Sequence, residues 1–193
     1  MKDESRLHPS SAQMQAAVVT VSDRCAAGLL RDTAGPAVAA LLTQSLPVQI
    51  AWAGIVPDEI DQIAATLTDL CARKIDLILT VGGTGMARRD VTPEATLRVI
   101  ERQVPGLAEA MRMASFPITP FALLSRAVAG TRGASLIVNL PGSAKAAVEN
   151  LSSVLAVLPH AVKLLRGETA HQEEDAGRSI PPTANPAEAE RPA

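Results

Sequence analysis

Apolar residues along this chain come in two rhythms. Short unbroken runs, "AAVVTVS" (16–22), "VQIAWAGIV" (48–56), "IDLILTV" (75–81) and "SLIVNL" (135–140), have the length and β-branched content of buried strands. Between them apolar positions recur at helical spacing, as at Ile60, Ile63, Leu67 and Leu70 within 59–74. The run 75–81 is apolar but for Asp76 and Thr80, which predicts a central, parallel strand covered on both faces. Punctuation supports the helices. Asp32-Thr33 offers an N-cap for "AGPAVAALLTQS", and Asp61 follows Asp58 at capping-box spacing. "PEATLRVIE" and "PGLAEAMRMAS" each carry Pro in the first turn, and "SAKAAVENLSSVLAVL" predicts one long helix. Strands alternating with helices predict an α/β layered fold around a mainly parallel sheet, and ligands of such sheets bind outside the carboxyl ends of the strands.

The ends break this pattern. The chain divides into a flexible N-terminal segment (1–14), one domain (15–167) and a disordered tail (168–193) rich in Pro, Ala and charge. Composition narrows the function. The chain is 47% hydrophobic but has one Trp, two Phe and no Tyr, so its core is aliphatic and its sites do not rely on aromatic stacking. A net charge of -2 argues against capture of nucleic acid or an anionic membrane, and no apolar run reaches the length of a spanning helix. Cys25 and Cys71 form no metal-type spacing and are expected as free thiols in a cytoplasmic protein. His160 is the one histidine in the body of the chain, which argues against a zinc centre or a Ser-His-Asp triad.

Three strand ends carry the remaining chemistry. After the first strand come Ser22 and Asp23, with Arg24 beside them and Asp32 ahead of the next helix, where Asp32 reads as a cap. After the third come Gly82-Gly83-Thr84-Gly85, then Arg88, Arg89 and Asp90. Consecutive glycines let several N–H groups converge on one anion, the arginines neutralise oxyanions or pair across a subunit boundary, and Asp90 can hold a cation. That mixture fits phosphate with a hard divalent ion, although the spacing is neither a Walker A loop nor GxGxxG. After the fourth, Pro141-Gly142 turns and Ser143 caps a helix whose N-terminal amides form an anion site, while Asn139, polar within an apolar strand, needs a partner or a ligand. Asp58, at the end of the second strand, reads equally as a helix cap and as an acidic site residue. Two anion cradles and several carboxylates without a strong nucleophile suit phosphoryl or nucleotidyl transfer.

The segments "TVSDRCAAGLLRDTAGP", "VPDE", "LTVGGTGMARRDVTPEAT", "PGLAEAMR", "LSRAVAGTRG" and "LIVNLPGS" resemble, in order and spacing, the MogA/MoaB family of molybdenum cofactor biosynthesis over about residues 16–166, with the pattern nearer the MogA branch. The resemblance implies a three-layer α/β/α domain, a homotrimer, and transfer of AMP from Mg-ATP to the terminal phosphate of molybdopterin with release of pyrophosphate. It implies Asp58 and Asp90 as the catalytic acidic pair sharing Mg²⁺ with the ATP phosphates, and Gly82, Gly83, Thr84, Gly85 and Arg89 against the nucleotide. It further implies Ser22, Asp23, Ser125, Arg126, Asn139, Gly142 and Ser143 on the side of the pterin and its phosphate, and a hand-over of product to the molybdate-inserting enzyme. Where relatives read Pro-Gly-x-Pro this chain has Pro141-Gly142-Ser143-Ala144, a looser first helical turn with its amides retained. Two other functions share the resemblance: a MoaB-type pterin-binding or scaffold protein, and a CinA-like nucleotide hydrolase.

Overall fold

The computed structural model describes residues 13–168, and the expected flexible start and disordered tail lie, but for Gln13, Met14 and Glu168, outside them. Four strands run parallel: β1 (Met14–Val21), β2 (Val48–Val56), β3 (Leu77–Val81) and β6 (Ser135–Leu140). Two short strands, β4 (Arg102–Gln103) and β5 (Ala129–Arg132), extend the sheet antiparallel, in the order β2-β1-β3-β6-β5-β4. Helices α1 (Asp23–Ala26), α2 (Ala34–Ser45), α3 (Ile60–Ala72), α4 (Thr92–Val99), α5 (Pro105–Ser115), α6 (Ala144–Val154) and α7 (Leu158–Leu165) connect them.

Strand periodicity explains the layers. Alternate residues of a strand face opposite ways. Ala16, Val18, Leu77, Leu79, Leu136 and Val138 pack on one face with α2, α5, α6 and α7. Ala17, Val19, Ile78 and Ile137 pack on the other with Ile63, Leu67 and Leu70 of α3 and Val99 of α4. Because both faces are covered, the strands read as continuous apolar runs, as expected of the three-layer α/β/α class.

Local expectations fare unevenly. Strands 48–56 and 135–140 and helices 34–45 and 105–115 match the sequence pattern, and β3 is central. Strand β1 begins at Met14, inside the segment expected to be flexible, because that side chain is buried under the core. Strands β4 and β5 were not foreseen. Gly130 interrupts any apolar pattern there, and a Cβ on it would stand 2.5 Å from Ile100 Cδ1 and 2.6 Å from the Arg102 carbonyl. The capping box at Asp58–Asp61 does not form: Glu59 occupies the N-cap position without a side-chain bond, and Asp61 pairs with Arg98. The long C-terminal helix is two, separated by a 3-10 turn at Leu155–Val157 ahead of Pro159. Together they span 22 residues (Ala144–Leu165) with an 18-residue window of mean hydropathy 1.2, long and apolar enough by length and composition alone to cross a membrane. Its apolar stripe, Ala147, Leu151, Val154, Leu158 and Val162, packs into the core against the sheet.

Topology selects the site. From β1 the chain runs out to β2 at the sheet edge, then crosses back to β3 on the other side of β1. The carboxyl ends of β1 and β3 therefore flank the point where strand order reverses, the place where ligands of open α/β sheets bind. At the opposite end of β3 an ion pair anchors α7. Asp76, 6% exposed, accepts Arg166 Nε at 2.8 Å and Nη2 at 2.6 Å, and also the Gln15 N–H at 2.7 Å. Removing the Asp76 charge takes this bidentate partner from Arg166, which also pairs more loosely with Glu168. Asp76→Asn is expected to lower stability by about 3 kcal/mol, read as a shift of the urea midpoint, with little effect on ligand affinity at the far end of the sheet.

Candidate active site

Three strand ends meet here because glycines let them. Gly82 has φ +114°, and a Cβ on it would lie 2.3 Å from the Val21 carbonyl oxygen of β1. Gly83 has φ +62°, and a Cβ there would lie 2.4 Å from Thr92 Oγ1 and 3.0 Å from Asp58 Oδ1. A Cβ on Gly142, after β6, would lie 3.3 Å from Gly82 Cα. Only glycine is comfortable at such φ and such approach. The Gly82–Gly83 turn is locked to α4, since Thr92 donates its hydroxyl to the Gly82 carbonyl at 2.9 Å and its N–H to the Gly83 carbonyl at 3.1 Å.

Asp23 and Asp58 are tied reciprocally. The Asp23 N–H donates to Asp58 Oδ2 at 2.7 Å, and the Asp58 N–H donates to Asp23 Oδ1 at 2.9 Å. Arg89 reaches over from the glycine loop, giving Nε and Nη2 to Asp23 at 2.9 Å each and Nη1 to Glu59 at 2.9 Å. These contacts pull the two aspartates apart in acidity. The bidentate Arg89 bond, followed by the Asp58 N–H, holds the Asp23 carboxyl below its ordinary value. Burial pushes the Asp58 carboxyl up, further aided by the charges of Asp23 and Asp90. Arg89 itself is held more firmly protonated by Asp23 and then Glu59. Asp90 folds its carboxylate back on its own loop, Oδ2 accepting the Ala87 N–H at 2.8 Å.

Two cavities adjoin across this centre. One, of about 420 Å³, is lined by Thr84, Gly85, Arg112, Phe121, Ser125 and Asn150 among others. The other, about 250 Å³, is lined by Ser22, Arg31, Asp32, Asp58 and Gly82 among others. Gly83, Asp90 and Gly142 line both, so the glycine loop and Asp90 form the ridge between two compartments.

Most sequence-selected residues lie at these two compartments, with qualifications. Ser22 and Ser143 both act as helix caps, their hydroxyls accepting the N–H of Cys25 and of Ala146 at 3.2 Å. Asp32 caps α2 as expected, through Oδ1 to the N–H groups of Ala34 and Gly35, and also accepts the Thr20 hydroxyl at 2.7 Å. Asn139 takes the partner and not the ligand: fully buried, it donates to Thr80 and Thr96 hydroxyls at 2.9 Å each and accepts the Val128 N–H at 3.2 Å. It lines neither compartment, and both ends of its amide are engaged within the core. Arg126 lines neither compartment and is engaged behind the loop with Gly85, Asp90 and Glu94. Arg89 faces Asp23 and Glu59 in the ion pairs already given. Glu59 and Arg112 were missed. Glu59 follows Asp58 directly and could have been noticed as a second acid, and Arg112, which donates to the Ser125 and Ala127 carbonyls, closes the quoted segment "PGLAEAMR".

Known proteins similar to the chain agree on one family. The profile described as "Probable molybdopterin binding domain" matches residues 17–160. A molybdopterin adenylyltransferase of Helicobacter pylori (strain ATCC 700392 / 26695) is 42% identical over 153 residues, 78% of this chain and 86% of that protein. Gephyrin of Dictyostelium discoideum is 40% identical over 171 residues, covering 84% of this chain, which spans only 24% of that longer protein. The crystal structure of a molybdopterin biosynthesis enzyme MoaB from Thermus thermophilus superposes with a TM-score of 0.76 at 48% identity, over 80% of this chain and 97% of that one.

The acidity of Asp58 yields a stability test. Because its carboxyl is raised in the fold, the folded state binds the proton more tightly, and that stabilisation is lost as pH rises through the folded value. Ionised Asp58 therefore burdens the fold at neutral pH. Asp58→Asn is expected to be at least as stable as the parent at pH 7, with its advantage shrinking as pH falls toward 4, about the ordinary carboxylate pKa. Urea denaturation across that range measures it, and a deficit at pH 7 would overturn the reading.

Proposed function

The chain belongs to the molybdopterin-binding domain family, and from that premise we infer that it is a molybdopterin adenylyltransferase. The observation that carries the reaction is the pair of compartments sharing one acidic ridge, since a two-substrate transfer needs each reactant held and their reacting atoms brought to a common wall. An oxygen of molybdopterin's terminal phosphate attacks the α-phosphorus of ATP. The bond from that phosphorus to the bridging oxygen of the β-phosphate breaks, and pyrophosphate leaves with the electron pair. An ionised phosphate nucleophile needs no base, so the protein's work is positioning and charge neutralisation.

The chain's residues divide this work. The amides of Gly83, Thr84 and Gly85 and the N-terminus of α6 at Ser143 would receive phosphate oxygens, while the Gly82 N–H is spent on the Leu140 carbonyl. Magnesium fits the donor set: Asp58 and Asp90 each engage one carboxylate oxygen with a backbone N–H, leaving the other for a hard cation that takes one or two carboxylates and completes its shell with phosphate oxygens and water. When bound it would offset negative charge on the triphosphate. Arg89 keeps Asp23 ionised and holds the start of α3 against the glycine loop, which keeps Asp58 in place. The same reading takes the enzyme as a cytoplasmic homotrimer that passes its product to a molybdate-inserting enzyme. Exposed Phe121 (76%), Ile118 (60%) and Leu124 (53%) beside the larger compartment support association with further chains.

A second reading, a pterin-binding member without catalysis, draws on the MoaB name carried by the Thermus structure. One experiment separates the two. Purified protein incubated with molybdopterin and Mg-ATP is expected to form adenylyl-molybdopterin, detected by mass, with one pyrophosphate per product. Asp90→Asn is expected to lower kcat by at least about 100-fold. Tight pterin binding without product would favour the binding protein, and pterin-independent phosphate release would favour a hydrolase.

A further inference from the structure

We propose that Arg126 is a positioning residue that shapes the catalytic loop from behind and acts through Asp90, with Glu94 as its anchor; this role rests on the adenylyltransferase reading. Four contacts converge on one residue. The Arg126 backbone N–H donates to the Thr84 carbonyl at 2.9 Å, and its Nε donates to the Gly85 carbonyl at 2.7 Å. Its two terminal nitrogens donate to the Asp90 carbonyl and to Glu94 Oε1. Arg126 thus joins both ends of the loop that runs from Thr84 to Asp90, and fastens it to the first turn of α4, where Glu94 sits.

Arg126 lines neither substrate compartment but a hollow of about 410 Å³ with Met86, Arg88, Asp90 and Glu94, and Asp90 is the residue this hollow shares with both compartments. What Arg126 controls is where Asp90 points. A Cβ on Gly85 would fall 2.8 Å from Asp90 Oδ2, and that oxygen already accepts the Ala87 N–H, so the carboxylate is packed inside the ring whose ends Arg126 bridges. Releasing the Gly85 and Asp90 carbonyls frees that ring to open and turns the carboxylate off the ridge. A planar guanidinium can serve three acceptors in different directions, whereas an ammonium on a flexible stem is a point charge and cannot reproduce the fork. Glu94 supplies the counter-charge, and its Oε2 is buried with no other partner. The loop's conformation thus hangs on charge pairing with α4 and not on glycine flexibility alone.

The test uses the full chain with Arg126→Lys, Arg126→Ala and Glu94→Gln, and reads both kinetics and amide exchange. For Arg126→Lys, kcat is expected to fall about 10- to 100-fold while KM for molybdopterin and for ATP stays within about threefold, the signature of misplacement without lost binding. Glu94→Gln is expected to fall between parent and Arg126→Lys. Millimolar guanidinium added to Arg126→Ala is expected to recover part of kcat, and to do nothing for Asp90→Asn. Exchange of the Ala87 and Asp90 amides, measured without substrate, is expected to accelerate in both Arg126 variants while core amides of β3 keep their protection. A rise in KM for molybdopterin with kcat unchanged, or unaltered exchange at Ala87 and Asp90, would overturn the proposal. Should the parent chain make no product, the adenylyltransferase reading fails, and the exchange measurement still decides whether Arg126 shapes the loop.

Discussion

The site depends on one backbone approach, that of Gly82 to the end of β1. The chain leaves β3 at φ +114° and passes so close to the Val21 carbonyl that a side chain cannot intervene. That contact brings the loop after β3 into line with those after β1 and β6. It places the Gly83 backbone beside Asp58, and Gly142 against Gly82. Methyl groups at these points would collide with the neighbouring strand ends. The fold's reversal of strand order supplies the crevice, and the glycines allow its walls to touch.

Charge then organises what the backbone has brought together. Asp23, Asp58, Glu59 and Asp90 gather near one another, with Arg89 supplying the local positive charge to two of them. Arg89 is committed to Asp23, which stays firmly ionised, and burial makes Asp58 harder to ionise. Burial and the neighbouring charges of Asp23 and Asp90 therefore make ionised Asp58 the electrostatic burden of the centre. Two arginines close in sequence to the loop or in space to it, Arg89 and Arg126, serve its architecture from opposite sides.

Much of the fold was legible because its signals are local. Runs rich in apolar and β-branched residues mark strands, and helix starts carry caps or Pro, so β2, β6, α2 and α5 can be outlined from residues alone. The failures also have local causes. Strands β4 and β5 are too short and too rich in polar or small residues to carry a pattern, and they exist because β6 offers a free edge. Helical spacing runs smoothly through 143–158, and the break comes at the 3-10 turn just ahead of Pro159, which has no N–H to continue the helix ladder.

For the site, the sequence determined the inventory: glycines where no side chain is tolerated, acids at strand ends, and a cap at Ser143. It also determined the family, through a run of loop residues too long to arise from packing alone. Which polar groups face a ligand and which face each other was decided only in three dimensions. Asn139, Arg89 and Arg126 look alike in sequence as polar residues near a binding loop, yet Asn139 holds up the core, Arg89 bridges two acids, and Arg126 supports the loop from behind. The reason is physical: each of these groups takes its partner from elements 30 to 66 residues away, which only folding brings within 3 Å.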